Sequence, residues 1–260
     1  MRNFILVHGP LVGAFTWVPV SQRLRELGAT VVLPALTSPG GGSRPFWQEH
    51  RDQLALQLKD IELDIASAVL VAHDGAGPLL PELGRALDVS PGAYILVDSD
   101  LPRDGASRFD LFADQADVER FREAAVSDGQ PRTRQAAAVM ERGPVPPSDR
   151  VVRGWPEDLL ATALAAAPDE SYIPAAFAGR RATPVTVYDE PLPVPADWPE
   201  RPAGYLHLSG PYAAAAAEAR ERAWPVRDLP SGHFGMLVDP EGVARELVSL
   251  ADQLLDGSSA

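Results

Sequence analysis

One aspartate and one histidine carry most of the chemical interest of this chain. Asp74 ends the apolar run Val69-Leu70-Val71-Ala72-His73 and is followed by Gly75-Ala76-Gly77, so it sits on a sharp strand-to-helix turn with small residues around it. At the start of a helix, free backbone N–H groups and the helix dipole favour the carboxylate anion, which suits a nucleophile or a base. Helix capping alone is the competing reading for Asp74. His233 lies in Ser231-Gly232-His233-Phe234, just before the final helical segment. An imidazole that accepts protons needs a partner on its other ring nitrogen. Alternation along a strand end puts Asp98 and Asp100 on one side as candidate partners, with a plain turn role open for both. With no cysteine and five histidines lacking any metal-ligand spacing, neither a thiol nucleophile nor a metal or other cofactor is expected. The glycines at 40–42 lack the pattern of a phosphate-binding loop.

The elements that must position these groups alternate in type. Strand-length apolar runs are expected at Phe4 to Val7, Ala29 to Leu33, Ala68 to Ala72, Tyr94 to Val97, Tyr205 to Leu208 and Val226 to Leu229. Helices are expected at Phe15 to Leu27, Phe46 to Leu63 with Leu54, Leu58 and Ile61 as its apolar stripe, Gly75 to Leu87, Ala213 to Arg222 and Pro240 to Leu255. Such alternation predicts an α/β fold, a mostly parallel doubly wound sheet flanked by helices. From about 102 to 183 the rhythm breaks into Asp-, Arg-, Ala- and Pro-rich sequence with no run suited to a central strand. The expectation is a core domain over 1–101 and 184–260 with a helical cap over 102–183. His50 is expected on a helix surface and His207 within a strand.

Val69 to Gly77 resembles the nucleophile elbow of the α/β-hydrolase superfamily, with Asp74 where serine is usual and Ala72 in place of the first glycine. His8-Gly9-Pro10-Leu11-Val12-Gly13-Ala14-Phe15 is similar to the family's oxyanion loop, and Ser231 to Phe234 to the loop of its catalytic histidine. The resemblance covers nearly the whole chain and is nearest in pattern to the hydroxynitrile lyase and methylesterase group. It implies the α/β-hydrolase fold, His233 as general base and, by likeness to relatives whose acid sits at the end of the strand that is Tyr94 to Val97 here, Asp100 rather than Asp98 as its preferred partner. Aspartate at the elbow resembles the dehalogenase and epoxide hydrolase members, in which the carboxylate attacks carbon and water then cleaves the ester. Gly75 replaces the tryptophan of the dehalogenases, so an epoxide is preferred. Ester hydrolysis is disfavoured, because a fixed anion about 4 Å from a developing oxyanion costs about 4 kcal/mol at an effective dielectric near 20.

Pro10 has no N–H where the family's loop donates one, leaving Gly75 and, with the loop shifted by one residue, Leu11 as backbone donors. A rigid loop without chemical meaning is the other reading of Pro10. The resemblance gives His8 and His73 packing roles in the first instance. Pro10, His73, Trp155 and Tyr172 are the candidate substrate contacts, with Phe177 and Tyr188 as further aromatics of the cap. Tyr172 would stand where epoxide hydrolases present a proton-donating tyrosine. Three readings stay open: an aspartate-nucleophile hydrolase, a non-hydrolytic lyase, isomerase or cyclase in which Asp74 and His233 move protons, and a silent ligand- or partner-binding member.

Composition narrows the partners. Lys+Arg of 23 against Asp+Glu of 36 gives a formal charge of −13, with Lys59 the single lysine and no basic stripe, so nucleic acid and anionic membranes are not expected partners. A small, mainly apolar molecule is the expected ligand, and a homodimer is left open. Absent cysteine and a short first apolar run lead to the expectation of a cytoplasmic protein. The arginine-rich, lysine-poor composition associates with GC-rich bacteria and secondary metabolism.

Overall fold

A computed structural model describes residues 2–37, 44–123, 125–127, 150–152, 154–155, 157–167, 174 and 182–257. The chain runs through β1 (Asn3–Val7), α1 (Val18–Glu26), β2 (Thr30–Val32), α2 (Phe46–Leu58), β3 (Ala68–His73), α3 (Leu80–Arg85) and β4 (Ala93–Val97). There follow α4 (Gln115–Glu123), β5 (Val126–Ser127), β6 (Arg150–Val152), α5 (Glu157–Leu164) and β7 (Thr183–Pro184). The last elements are β8 (Ala203–His207), α6 (Ala213–Glu221), β9 (Val226–Asp228) and α7 (Pro240–Asp256). Six strands form one sheet in the order β2-β1-β3-β4-β8-β9, parallel at every pairing. This is the α/β-hydrolase type of doubly wound sheet.

Its strands read as continuous apolar runs because both faces are covered. Phe4, Leu6, Val69, Val71, Ile95 and Val97 face α1 and α7, whereas Ile5, Val7, Leu70, Ala72, Tyr94 and Leu96 face α2, α3 and α6. Gly28, at φ +83°, follows α1 in the left-handed conformation that ends a helix. Asp239 caps α7 by accepting from Gly242 N at 2.9 Å, and Pro240 opens that helix. Along α7, Val243, Leu247, Leu250, Ala251 and Leu254 make the buried stripe.

Order reversal decides where a site can form. The chain leaves β1 outward to β2 and then returns to place β3 on the other side of β1, so the loops after β1 and β3 diverge above a crevice at the strands' carboxyl ends. The chain between β4 and β8 forms a second sheet, β5-β6-β7, antiparallel throughout. Sequence periodicity predicted short helices and loops there; strands of two or three residues are too short to show alternation. A separate apolar cluster joins this region to the core loops through Leu11, Phe109, Val118, Val152, Val187 and Tyr188.

Three further expectations are corrected. The helix from Phe46 stops at Leu58 and leaves Ile61 exposed, since Leu54 and Leu58 already complete its contact with the sheet. The segment after β3 begins as a 3-10 turn over Asp74–Leu79, where Pro78 withholds a helical N–H, before α3. His50 is buried on the inner face of α2. His207 does lie in β8, bonded to Asp228 at 2.9 Å. No helix among the described residues is long and apolar enough to cross a membrane.

Burial lowers the His50 pKa to about 3, helped by neighbouring Arg108 and His8, so its ring folds neutral. Below the ordinary value of about 6.5 the unfolded chain binds a proton there that the folded chain refuses, so this residue's contribution to stability falls as pH falls. Other groups titrate over the same range, so the informative quantity is a difference. The stability gap between wild type and His50→Gln, read from denaturant midpoints, is expected to narrow between pH 7 and pH 5; a constant gap would show that folding leaves the His50 pKa unshifted.

Candidate active site

Asp74 is held on the bend by its neighbours. Its φ is +56°, a left-handed conformation that costs a non-glycine residue about 1–3 kcal/mol and persists only where the surroundings enforce it. Two glycines make room. A Cβ on Gly9 would come within 2.6 Å of Asp74 Oδ2, and one on Gly77 within 1.8 Å of Ser99 Oγ. The Ser99 hydroxyl in turn donates to the carbonyl oxygens of Asp74 at 2.6 Å and Asp100 at 3.1 Å. Tyr212, in the turn after β8, donates its hydroxyl to Asp74 Oδ1 at 2.8 Å. Burial, reinforced by the nearby Asp74 charge, keeps the Tyr212 phenol well above its usual pKa and therefore a donor.

His233 meets Asp74 from the other side. Its Nδ1 lies 2.9 Å from Asp98 Oδ2 and its Nε2 3.9 Å from Asp74 Oδ1. Asp98 also accepts from the backbone N–H groups of Leu208 and Ser209, each at 2.9 Å, and from the Ser209 hydroxyl. Burial pushes this carboxyl up, but the bonds from His233, Ser209 and Leu208 outweigh it, and Asp98 lies below the ordinary carboxylate range. Asp98 accepts the hydrogen bond of Nδ1–H, which leaves Nε2 turned toward Asp74. Nε2 is buried without a hydrogen-bond partner.

The partner of His233 is thus Asp98, correcting the expectation of Asp100. Alternation failed at one residue: Asp98 has φ +44°, which breaks the strand geometry and turns its carboxylate toward the loop after β8. Asp100 instead lines the cavity. His73 and Pro10 do not, contrary to expectation. His73 is fully buried; its Nε2–H donates to the His233 carbonyl at 3.0 Å and its ring packs 4.4 Å from that of His233. It supports His233 from behind. Pro10 packs its ring toward Gly75 and accepts from the Thr183 hydroxyl at 2.7 Å, tying β7 to the loop after β1. His8, consistent with packing, accepts from Leu36 N through Nε2 and directs Nδ1 to the Gly9 carbonyl.

The cavity above Asp74 has a volume of about 940 Å³. Leu11, Gly75, Leu101, Phe112, Phe121, Trp155, Tyr188 and Tyr212 form much of its wall. The Trp155 ring lies 5.2 Å from that of His233, and Tyr172 and Phe177 fall outside the described residues. Two polar groups escaped sequence reasoning. Tyr212 was visible only as part of a loop lacking a carboxylate. Arg108 is 3% exposed, donating Nε to the Gly75 carbonyl at 2.7 Å and Nη1 to Val187 O at 2.9 Å, so it braces the elbow; nothing near it in the sequence signals that role. Burial, then the Asp74 charge, pushes the Asp100 carboxyl up to about 7. Among the described residues no His, Asp and Glu set is placed to hold a metal ion.

Comparison with known proteins follows this geometry. No curated protein matches the chain by sequence. Solved structures of similar fold include an extracellular alpha/beta-hydrolase from a Paenibacillus species, 18% identical, TM-score 0.71, aligned over 96% of this chain and 99% of that one. The methylesterase MES16 from Arabidopsis is 14% identical, with TM-score 0.70 over 98% of this chain and 100% of its own. Tomato methylketone synthase I, solved with 2-tridecanone, is also 14% identical, with TM-score 0.69 over 97% and 98%. At these identities the likeness is one of fold. The sequence profile described as "Alpha/beta hydrolase family" matches residues 4–246, and the chain belongs to that family.

Proposed function

We propose that the protein is an enzyme in which Asp74 attacks an electrophilic carbon of a small, mainly apolar molecule, an epoxide being the preferred class, and His233 activates the water that releases the product. The observation that carries this reading is the fixed triangle of Asp74, Tyr212 and His233, in which Asp74 and Tyr212 line the cavity and His233 stands behind Asp74. Asp74 Oδ2 forms the new C–O bond as the epoxide C–O bond breaks and the released oxygen takes a proton. The result is an alkyl ester of Asp74. Nε2 of His233 then removes a proton from water, the hydroxide adds to the Asp74 carboxyl carbon, and collapse returns the carboxylate and a diol. Tyr212 gives the second step its oxyanion donor. Its hydroxyl already contacts Oδ1, the oxygen that becomes negative in the tetrahedral intermediate, and thereby replaces the N–H missing at Pro10.

A second reading has its own support. With Nε2 3.9 Å from Oδ1, Asp74 and His233 are close enough to work on one bound molecule as a proton-transfer pair, without an ester.

The two readings differ in where oxygen goes. In single turnover of styrene oxide in heavy-oxygen water, the covalent route leaves label in the Asp74 carboxylate; an unlabelled Asp74 in an active enzyme favours the proton-transfer pair. If Asp74→Asn and His233→Ala change neither turnover nor ligand binding, the protein is a silent member of its family. Asp98→Asn should slow ester hydrolysis by about 10³-fold or more, since an amide can hold the wrong imidazole tautomer, and the alkyl-enzyme should then accumulate on Asp74 by intact-mass measurement. Full turnover in Asp98→Asn would remove His233 from the reaction.

A further inference from the structure

We propose that Asp100 is the general acid of this reaction, giving its proton to the oxygen that leaves when Asp74 attacks. The inference rests on the nucleophile reading of Asp74 and adds a group that the reading requires but does not name. A neutral ring-opening cannot end on a bare alkoxide in an apolar cavity, so a proton must come from the wall.

Three features select Asp100. The first is placement. One hydroxyl, that of Ser99, bonds the backbone carbonyls of Asp74 and Asp100 together, and Ser99 is itself clamped by Tyr205, whose hydroxyl accepts from Ser99 N at 3.0 Å and donates to Ser99 O at 2.7 Å. Both acidic residues line the same cavity, and the Asp74 charge acts on the Asp100 carboxyl.

The second is charge. Asp74, Arg103 and Glu218 are the charged groups acting on Asp100. Arg103, paired with Glu218 at 2.8 Å, pulls the Asp100 carboxyl down, but burial and the Asp74 charge outweigh it. Two neighbouring carboxyl groups in a largely apolar pocket do not both ionise readily. Asp74 is bonded by a phenol donor; Asp100 has its carboxyl pushed up to about 7 by burial and the Asp74 charge, so it can carry a proton near neutral pH.

The third is exclusion among the polar groups around the site. Tyr212 is committed to Asp74 Oδ1, and the Tyr188 and Tyr212 phenols are both held well above their usual range by burial and the Asp74 charge, which makes them poor acids. Nδ1–H of His233 is held by Asp98, and Nε2 has to accept a proton rather than give one in the hydrolytic step. The cycle balances: Asp100 loses its proton as the C–O bond breaks, His233 takes one from water as the ester is cleaved, and the imidazolium proton returns by solvent to Asp100.

The test separates the acid from the nucleophile by the leaving group. In a His233→Ala protein, which traps the ester, alkylation of Asp74 is followed by peptide mass with two probes, styrene oxide and benzyl bromide. Bromide leaves without a proton; the epoxide oxygen does not. Asp100→Asn in this background is expected to slow the epoxide arm by about 10²-fold or more while leaving the bromide arm within roughly twofold. With Asp100 present, the epoxide-to-bromide rate ratio is expected to fall as pH rises through about 7, as the acid loses its proton. An unchanged epoxide arm in Asp100→Asn overturns the proposal. Should both arms fall together through misfolding, the ratio in the Asp100-containing protein decides, and a ratio flat from pH 6 to about 8.5 overturns it. Bromide alkylation without any epoxide alkylation also counts against Asp100. Failure of both probes to label Asp74 removes the nucleophile itself, and the acid with it.

Discussion

A carboxylate with no exposed surface is the constraint on which this site depends. Asp98 is fully buried, and an unpaired charge there would be costly, so its oxygens must be saturated. They are: four donors come from Leu208, Ser209 and His233. These belong to the loop after β8 and the loop before α7, so satisfying one charge fixes the end of β4 against both. The same bonds fix the imidazole, because the nitrogen that gives its proton to Asp98 determines which nitrogen faces Asp74. His73, behind the ring, holds the His233 carbonyl and completes the frame. Burial keeps His73 well below the ordinary histidine pKa, with His233 adding to the effect, so the His73 ring stays neutral.

Most charged groups of the cavity wall are tied to partners. Tyr212 anchors Asp74, Asp100 is pushed toward neutrality, and the deeply buried Arg108 spends two donors on the backbone of the elbow and of Val187. Arg103 pairs with Glu218, Arg120 with Asp117, and Asp110 accepts from Ser107, while Leu11, Leu101, Phe112, Phe121 and Trp155 supply apolar wall. Low polarity strengthens each remaining interaction and suits a mainly apolar ligand. The left-handed bend at Asp74 belongs to the same economy: strain is accepted where the chemistry is proposed and balanced by Ser99, Gly9 and Gly77 around it.

Much of this was legible in the residues. Continuous apolar runs announce a two-sided parallel sheet, and small residues around Asp74 announce a tight bend, because backbone sterics and burial act locally. His233 stands in a Gly-His loop whose order along the chain suffices to place it. Its partner was not legible. Asp98 and Asp100 share a strand end and a residue type, and only a backbone torsion of +44° at Asp98 separates a buried acceptor from a cavity wall. Tyr212 and Arg108 are likewise ordinary residues of loop sequence until the fold aims them. So is Glu190, whose carboxylate accepts from Phe46 N at 2.6 Å and Trp47 N at 3.0 Å and so caps α2 from the far side of the chain.

Taken alone, the amino-acid sequence determined which segments become the central strands and their flanking helices, and the presence of an aspartate where such sheets usually offer serine. Those follow from periodicity, sterics and hydrophobicity, which act over a few residues at a time. The order of the strands, which carboxylate orients the imidazole and which phenol holds Asp74 were decided only by tertiary structure. The last two depend on groups brought together from more than 100 residues apart, as Tyr212 is to Asp74 and His233 to Asp98, and electrostatics in a dry cavity responds to distance in space rather than along the chain.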